Sequence, residues 1–260
     1  MSRWIVGNVP SWLVLLGLIA IVSGGAVLLC AFLRKRIPGL TNVEHNDALK
    51  FGYGVIGFVY AFFIGFVVSG MWGQIADADT DAAAEGSAGL QLARDSSTFG
   101  PNLGATIRQS LLAYERSAEA EWPSAAMGQS LPQTDAALAQ LSQAYRDVRP
   151  GNSAEKAFLK ISVANLDKLS QARTQRILSG QGDSGPTGPL WSVIFLTSGL
   201  VLGCAIAFGV ENPRMHYPMV AVVGALVAAN LFLVIELSHP YLGEVATAPD
   251  ALRMVIDELA

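Results

Sequence analysis

Cysteine, histidine and recognisable catalytic motifs are scarce in this sequence, and their scarcity excludes several classes of protein. Only two cysteines occur, Cys30 and Cys204, which excludes a disulfide scaffold and a thiolate zinc site. The three histidines, His45, His216 and His239, form no His-Glu-x-x-His motif, and neither a phosphate-binding loop nor a serine elbow is present. We therefore expect no catalytic residues, no bound metal and no cofactor.

Charged residues are missing from four long apolar runs. The runs are Trp12–Leu33, Phe51–Trp72, Leu190–Gly209 and Tyr217–Ile235. Each is long enough to cross the hydrocarbon core of a bilayer, which takes about 20 residues of helix. Proton-coupled carriers and intramembrane hydrolases keep ionisable groups at membrane depth. No Asp, Glu, Lys or Arg lies inside any of the runs, and Glu236 comes directly after the fourth, so we predict a membrane protein of neither class.

The first run has some features of a cleaved export signal, because Arg3 precedes it. A signal peptide has an apolar stretch of about 7–15 residues and ends in small residues. This run is longer and ends in Arg34, Lys35 and Arg36. We therefore expect a retained transmembrane helix.

Positive charge near the ends of the runs predicts the orientation in a bacterial inner membrane. The link between the first two runs holds Arg34–Arg36 and Lys50, and the link between the last two holds Arg214. Since positively charged links stay in the cytoplasm, we expect both termini and the middle segment outside it. No other basic run exists, which excludes nucleic acid as a partner and leaves the lipid bilayer.

The order of segments predicts an all-α membrane protein in which two transmembrane hairpins flank a helical soluble insertion. The middle segment shows apolar residues at helical spacing, interrupted by glycine and proline clusters, and no alternation typical of a strand. We expect about four helices there, the first continuing from the second run. The predicted boundaries are 1–72 for the first hairpin, 73–189 for the soluble domain, 190–238 for the second hairpin and 239–260 for a C-terminal tail.

The second run contains two sets of residues spaced four apart. Phe58, Phe62 and Phe66 form an aromatic ridge, because residues four apart on a helix lie within about 40° of one another. The neighbouring small residues, which form a groove suited to close helix packing, are Gly57, Ala61, Gly65 and Ser69. The ridge either contacts lipid and other helices or forms a hydrophobic constriction around a pore.

Acidic residues follow the second run at the same spacing. If the helix continues, Asp77, Asp81 and Glu85 form one stripe. A stripe of this kind is either a solvated helix face or, repeated around an oligomer, an acidic vestibule that favours cations.

The chain resembles the bacterial bestrophin-like family of four-span membrane proteins in four short sequence motifs. They are His45-Asn46-Asp47 with the helix up to Trp72, Tyr114 with Glu121-Trp122-Pro123, Arg173 with Arg176, and Leu190-Trp191 through the segment Ile235–Val245. The resemblance extends to the bestrophin anion channels. It implies a homo-oligomer, pentameric in bestrophins, whose second helix lines an ion pore with apolar and aromatic residues. Phe58, Phe62 and Phe66 fit such a neck.

The remaining family motifs are expected to have structural roles. We expect Asn46 and Asp47 to cap the second helix, and Pro240 and Gly243 to end the fourth. Arg173 and Arg176 fit either an ion pair with Glu119 and Glu121 or contact with a permeating anion. The set of motif residues that we assign to structure is Asn46, Glu121, Trp122, Arg173, Arg176, Trp191, Pro240 and Gly243.

Two functions remain open from the sequence. The first is an oligomeric inner-membrane channel that conducts inorganic ions passively through a pore lined by the second helix. The second is a non-conducting assembly or sensory protein that acts through its extracytoplasmic helices. The absence of charges inside the apolar runs is compatible with both.

Overall fold

The computed structural model describes residues 2–36, 46–181, 185–208, 210 and 212–260, and these residues are almost entirely helical. The helices are α1 Ser2–Asn8, α2 Ser11–Arg36, α3 Asn46–Asp95, α4 Pro101–Ala125, α5 Pro132–Arg146, α6 Ser153–Gln181, α7 Gly188–Ala207, α8 Pro213–Glu236 and α9 Asp250–Leu259. A short 3-10 helix, Ser96–Phe99, precedes α4. The all-α fold predicted from the sequence is confirmed. His45 and the side chain of Asn46 lie outside the described residues.

Four of these helices, α2, α3, α7 and α8, are long and apolar enough to cross a membrane. They correspond to the four apolar runs of the sequence. The chain is therefore a multi-pass membrane protein. The helix α3 has 50 residues, which is far more than one bilayer crossing requires.

The residues divide into two compact units. Unit 1 comprises Met1–Gly73 and Gly185–Ser238, and unit 2 comprises Gln74–Ser184 and His239–Ala260. The segment that we expected as a tail, 239–260, thus groups with the helices of the soluble insertion. The single helix α3 contributes residues to both units.

In unit 1, α2 packs against α8 in an antiparallel arrangement. The Ser11 hydroxyl donates a hydrogen bond to the Glu236 carboxylate over 2.7 Å. Further along, the Ser23 hydroxyl donates to the Ala221 carbonyl at 2.9 Å. A Cβ placed on Gly224 would lie 2.7 Å from the Ser23 Cα atom, so only glycine allows the two backbones this approach. Such contacts between small residues are the usual means of helix association in lipid.

The residues of α3 in unit 1 have one buried face. The buried side chains recur at helical spacing and are Tyr60, Ile64, Val67 and Met71. The Asn230 amide on α8 lies 3.4 Å from the Tyr60 hydroxyl, which links α3 to α8. The Tyr53 ring on α3 lies 6.4 Å from the Phe208 ring, measured between centroids.

The core of unit 2 is built around α4. Its buried apolar residues, Ile107, Leu111, Tyr114 and Ala118, belong to a cluster that includes side chains of α3, α5, α6 and α9. Gly100 has a φ of +80°, a left-handed conformation that glycine adopts without strain, and it allows the chain to turn into α4. The helices of this unit are separated at glycine or proline residues, as at Gly100 before α4, but Pro123 lies inside α4, which continues to Ala125.

Two predicted helix boundaries need correction. The helix α8 ends at Glu236 with Leu237 as its C-cap, so neither Pro240 nor Gly243 ends it. Gly243 instead has a φ of +99° in the turn that follows. The fourth helix also begins before the apolar run that starts at Tyr217, because α8 begins at Pro213 and proline is favourable in a first turn; His216 therefore lies within α8.

The C-terminal helix α9 lies against α3 at Gly86. A Cβ on Gly86 would be 2.7 Å from both the Cβ and the carbonyl oxygen of Ala251. We therefore expect Gly86→Ala to force α9 away from α3 and to lower the stability of the protein by about 1–3 kcal/mol. Thermal unfolding in detergent, followed by tryptophan fluorescence, measures the change.

The matched control is Gly73→Ala on the same helix. A Cβ at Gly73 would have no atom of the described residues within 4 Å. Because alanine favours helix over glycine by about 1 kcal/mol, this substitution should leave stability unchanged or raise it. An equal loss of stability in both variants would show that the α9 contact does not explain the need for glycine at position 86.

Candidate functional site

The aromatic ridge lies on the exposed side of α3 within unit 1. The Phe58, Phe62 and Phe66 side chains are 73%, 71% and 73% exposed. The buried face of the same helix, which includes Tyr60 and Ile64, points the other way. All three ridge residues are therefore available to lipid or to another subunit.

The small-residue groove is likewise open in a single chain. Ala61, Gly65 and Ser69 are exposed, and Gly57 is partly buried. A Cβ added at Gly57 or Gly65 would meet no described atom within 4 Å. No helix of unit 1 in the described part of the chain fills the space beside these two glycines.

The acidic stripe is only partly as expected. Asp77 is exposed and Asp81 is partly exposed, but Glu85 is fully buried in unit 2. The expectation that Glu85 shares a solvent-facing stripe is therefore wrong. Each step of four residues rotates the position by about 40° around the helix axis. Two steps carry Glu85 from the exposed side of α3 to the side covered by the other helices of unit 2.

Glu85 is the centre of a buried ion pair. The Arg176 guanidinium on α6 donates through Nε and Nη2 to the two Glu85 oxygens, each at 3.0 Å. The Tyr114 hydroxyl on α4 donates to the same carboxylate at 2.9 Å. A bidentate contact between an arginine and a carboxylate fixes both the distance and the relative orientation of the two groups. Glu85 thereby joins α3, α4 and α6.

A second buried pair lies beside the first. Arg173 donates to both carboxylate oxygens of Glu121, at 2.9 Å and 2.7 Å. Arg173 also donates to Asp135 on α5 at 2.7 Å, and Glu121 accepts the backbone N–H of Leu131 at 2.7 Å. The pairing of Arg173 with Glu121 agrees with the expected structural ion pair. Glu119 instead pairs with Arg253 at 2.7 Å.

Trp122 connects this network to the C-terminal segment. Its ring lies under the Arg176 guanidinium, with 4.7 Å between the Cζ atom and the ring centroid. The Tyr241 ring meets it edge-on at 5.8 Å. The indole N–H of Trp122 donates to the Thr247 carbonyl at 3.2 Å, and the Thr247 hydroxyl donates to Asp79 at 2.6 Å. Residues 241–247 are therefore held in unit 2 by polar as well as aromatic contacts.

Burial and charge shift the pKa values of this network in opposite ways. Burial alone would lower the Arg176 pKa, but the Glu85 carboxylate outweighs burial and the pKa is raised. Burial raises the pKa of Tyr241 to about 12, and the charge of Asp81 adds to the shift. Burial and the Glu85 charge together raise the pKa of Tyr114 well above its usual value. The network therefore holds charged arginines and neutral phenols at physiological pH.

Two further residues, Glu115 and His216, are buried although the sequence did not predict their burial. Glu115 on α4 is fully buried in unit 2, and its carboxyl group has no hydrogen-bond partner among the described residues. In unit 1, His216 is fully buried, with its Nδ1 atom 2.7 Å from Arg34 and its Nε2 atom 3.1 Å from the Ala205 carbonyl. Since Arg34 can only donate, His216 accepts at Nδ1 and donates from Nε2.

The other predicted residues have packing roles. The Trp191 ring stacks on Phe195 one turn along α7, with centroids 5.3 Å apart. Cys30 is buried in unit 1, with its sulfur 3.6 Å from the His216 Nδ1 atom. Within the described part of the chain, no group of three His, Cys, Asp or Glu residues is placed to hold a metal ion.

Removal of one partner from the Glu85 pair should destabilise unit 2 strongly. In Arg176→Met the Glu85 carboxylate would remain buried without a cation. Breaking a buried pair in this way costs about 3–5 kcal/mol. Thermal unfolding monitored by tryptophan fluorescence should therefore show a large decrease in the midpoint.

Arg253→Met is the matched control, because Arg253 is 54% exposed in its pair with Glu119. Exposed ion pairs contribute little to stability. We expect only a small shift of the midpoint. Equal destabilisation by the two substitutions would contradict the special role of the buried pair.

The chain is similar to a known family and to several solved structures. A family model described as Bestrophin-like domain matches residues 20–252. No curated protein matches the chain by sequence at a significant level. A single-substitution variant of a bacterial bestrophin homologue from Klebsiella pneumoniae aligns with a TM-score of 0.68 at 15% identity, covering 96% of this chain and 98% of that one.

Two other crystal structures give similar values. The Klebsiella pneumoniae homologue in a separate determination has a TM-score of 0.66 at 15% identity, with 95% and 96% of the two chains covered. A variant described as a membrane protein has a TM-score of 0.66 at 14% identity, with 91% and 97% covered. At such low identity the likeness is one of fold, whereas the family model covers most of the sequence. The chain therefore belongs to the bestrophin-like family and has the fold of the bacterial bestrophin homologues.

Proposed function

We propose that this protein assembles as a homo-oligomer in the bacterial inner membrane and conducts inorganic ions passively along an axis lined by α3. The single observation that carries the proposal is the aromatic ridge of Phe58, Phe62 and Phe66. All three rings are more than two thirds exposed in the single chain, at 73%, 71% and 73%. If several copies of the ridge meet at an axis, they form a hydrophobic constriction that controls wetting of the pore.

The open groove supports the assembly of several copies. Gly57 and Gly65 leave unfilled space on α3, and small residues let neighbouring transmembrane backbones approach closely. We propose that α3 of an adjacent copy, or another of its helices, packs there. The number of copies is five if the assembly follows the bestrophins.

Asp77 and Asp81 are the acidic residues that remain available for a vestibule. Asp77 is exposed and Asp81 is partly exposed, whereas Glu85 is bonded to Arg176 and Tyr114. A ring of the two aspartates at the mouth of an oligomer would attract cations. Glu85 is not included, because its charge is already neutralised.

The geometry supports transport without catalysis. Two buried carboxylates of unit 2 bond to arginines, Glu85 to Arg176 and Glu121 to Arg173. Such pairs leave no nucleophile beside a general base. We therefore propose that the protein is not an enzyme.

A second function is favoured by a polar groove in unit 2. A cavity of about 660 Å³ lies between α3 and α6. Four carboxamides contribute to its lining, from Gln91, Asn165, Gln171 and Gln175. Carboxamides both donate and accept hydrogen bonds, so the groove suits a small polar solute. A sensory protein that binds such a solute and conducts no ions is the alternative to the channel.

Truncation of the ridge should increase ion flux. Phe62→Ala would widen the proposed constriction and make it easier to wet. We expect a severalfold higher conductance in planar bilayers that contain the purified oligomer. Single-channel recording in symmetric potassium chloride measures this directly.

The control for this experiment is Phe195→Ala on α7, since Phe195 is also exposed, at 58%. It removes the same ring from a helix that is not proposed to line the axis. Conductance should stay at the wild-type value. Absence of wild-type flux at every voltage and pH tested would refute conduction and favour the sensory function.

Orientation can be tested by labelling of introduced cysteines in intact cells. Gly151 lies in the exposed loop between α5 and α6 of unit 2, and Lys35 is exposed near the end of α2. In a Cys204→Ser background, a membrane-impermeant maleimide should label Gly151→Cys in intact cells and Lys35→Cys only after lysis. The reverse pattern would place the helical unit in the cytoplasm and overturn the proposed orientation.

A further inference from the structure

Glu115 is a buried acid that the ion-pair network does not use. It lies on α4 at 0% exposure. Both of its carboxyl oxygens are without a hydrogen-bond partner among the residues that the structure describes. Buried polar groups in proteins nearly always have partners, and an ionised carboxylate without one is especially costly. An ionised Glu115 would therefore be strongly unfavourable at this position.

The carboxyl group lies where three helices of unit 2 meet. A Cβ placed on Gly89 of α3 would be 2.5 Å from the Glu115 Oε1 atom. The same position lies 3.1 Å and 3.2 Å from the two methyl carbons of Val255 on α9. Glycine at position 89 thus provides the space for the carboxyl group, and Val255 of α9 packs at the same point.

The charged groups around Glu115 are already balanced. Glu85, on α3, is paired with Arg176, on α6, and Glu121, on α4 itself, is paired with Arg173. The Tyr114 hydroxyl on α4 donates a hydrogen bond to the Glu85 carboxylate. From α9 the contact is the apolar Val255, because the charged side chains of that helix are exposed. Among the described residues no arginine or lysine donates a hydrogen bond to the Glu115 carboxyl group, and the Nη1 atom of Arg176 is also buried without a partner.

The balance of these groups favours a neutral acid. Burial raises the pKa of Glu115 well above its usual value, and the negative charge of Glu85 raises it further. Arg176 acts in the opposite direction but is outweighed. The geometry and the charges therefore agree on the protonation state.

We propose that Glu115 is a proton-binding site that is occupied when α9 lies against α3 and loses its proton when α9 detaches. The helix α9 has 10 residues, and helices this short are not stable alone in water. Its attachment rests on the buried Leu252, Val255 and Leu259 and on the close contact at Gly86. Detachment would expose the Glu115 carboxyl group to water. This site does not depend on whether the oligomer conducts ions.

The direction of the pH effect follows from the two states. The exposed Glu115 of the detached state has the ordinary pKa of a glutamate, and the attached state has a raised pKa because of burial and the Glu85 charge. Between these two values, detachment releases one proton, so the equilibrium constant for detachment rises about tenfold per pH unit. Attachment of α9 is thus strongest in acid and weakens as the pH rises.

Hydrogen exchange of the full-length protein tests the proposal. We expect protection factors of the α9 amides, corrected for intrinsic exchange, to fall by up to about tenfold per pH unit as the pH rises from the ordinary pKa of a glutamate towards the raised pKa of Glu115. In Glu115→Gln the group is neutral at every pH, so protection in α9 should be higher and independent of pH. Wild-type protection that does not change with pH would overturn the proposal.

Glu119→Gln is the matched control, since Glu119 also contacts α9, through Arg253 at 2.7 Å. Because this pair is exposed and contributes little to stability, the substitution should change protection of α9 only slightly and keep the pH dependence. The same pH dependence in Glu115→Gln as in the wild type would refute the assignment to this residue.

Infrared difference spectroscopy provides a second measurement that does not rely on α9. At neutral pH the wild-type protein should show the carbonyl band of a protonated carboxylic acid that Glu115→Gln lacks. An identical spectrum in the two proteins would show that Glu115 is not protonated, and the proposal would fail even if α9 responded to pH.

Discussion

The fold of unit 2 depends on the neutralisation of one buried carboxylate, Glu85. A charge removed from water needs both a counterion and hydrogen bonds. Arg176 provides the first and Tyr114 contributes to the second, at 3.0 Å and 2.9 Å. Because these partners come from α6 and α4, the requirement fixes the rotation of three helices at once. Apolar packing alone would tolerate small rotations, whereas a two-pronged arginine contact does not.

The same charge also determines how the C-terminal segment attaches. With Arg176 and Arg173 both bonded to other carboxylates, the adjacent Glu115 is buried without a hydrogen-bond partner among the described residues, where Val255 of α9 packs. Trp122, which lies under the Arg176 guanidinium, bonds to the Thr247 carbonyl. The ion pair and the last part of the chain are therefore parts of one arrangement. This explains why residues 239–260 group with unit 2 and do not form a separate tail.

The sequence predicts features that depend on length, composition and local breakers. The four apolar helices follow from the thickness of the bilayer, and the starts of α4 and α5 follow from Pro101 and Pro132 in their first turns. The burial of Glu85 could not be predicted in this way, because a helical stripe gives spacing along one helix and not which side the other helices cover. The sequence feature that accompanies the buried Glu115 is the glycine at position 89. It can be interpreted only once it is known that Val255 of α9 packs beside Gly89. His216 contacts Arg34 of α2, which is 182 residues away in sequence, and this contact could not be predicted from local spacing.

The glycines beside the aromatic ridge bear on whether α3 contacts lipid or another subunit. In lipid, apolar burial does not drive helices together, so association depends on close packing and on hydrogen bonds. A helix that meets only lipid gains nothing from gaps in its surface, because each gap forfeits dispersion contacts. Gly57 and Gly65 create such gaps on α3, and no described part of the chain fills them. In contrast, Gly224 on α8 is filled by the α2 backbone at Ser23. The gap at a glycine is thus filled by another helix of the chain at α8 but is left open at α3, and this favours an intersubunit contact at α3.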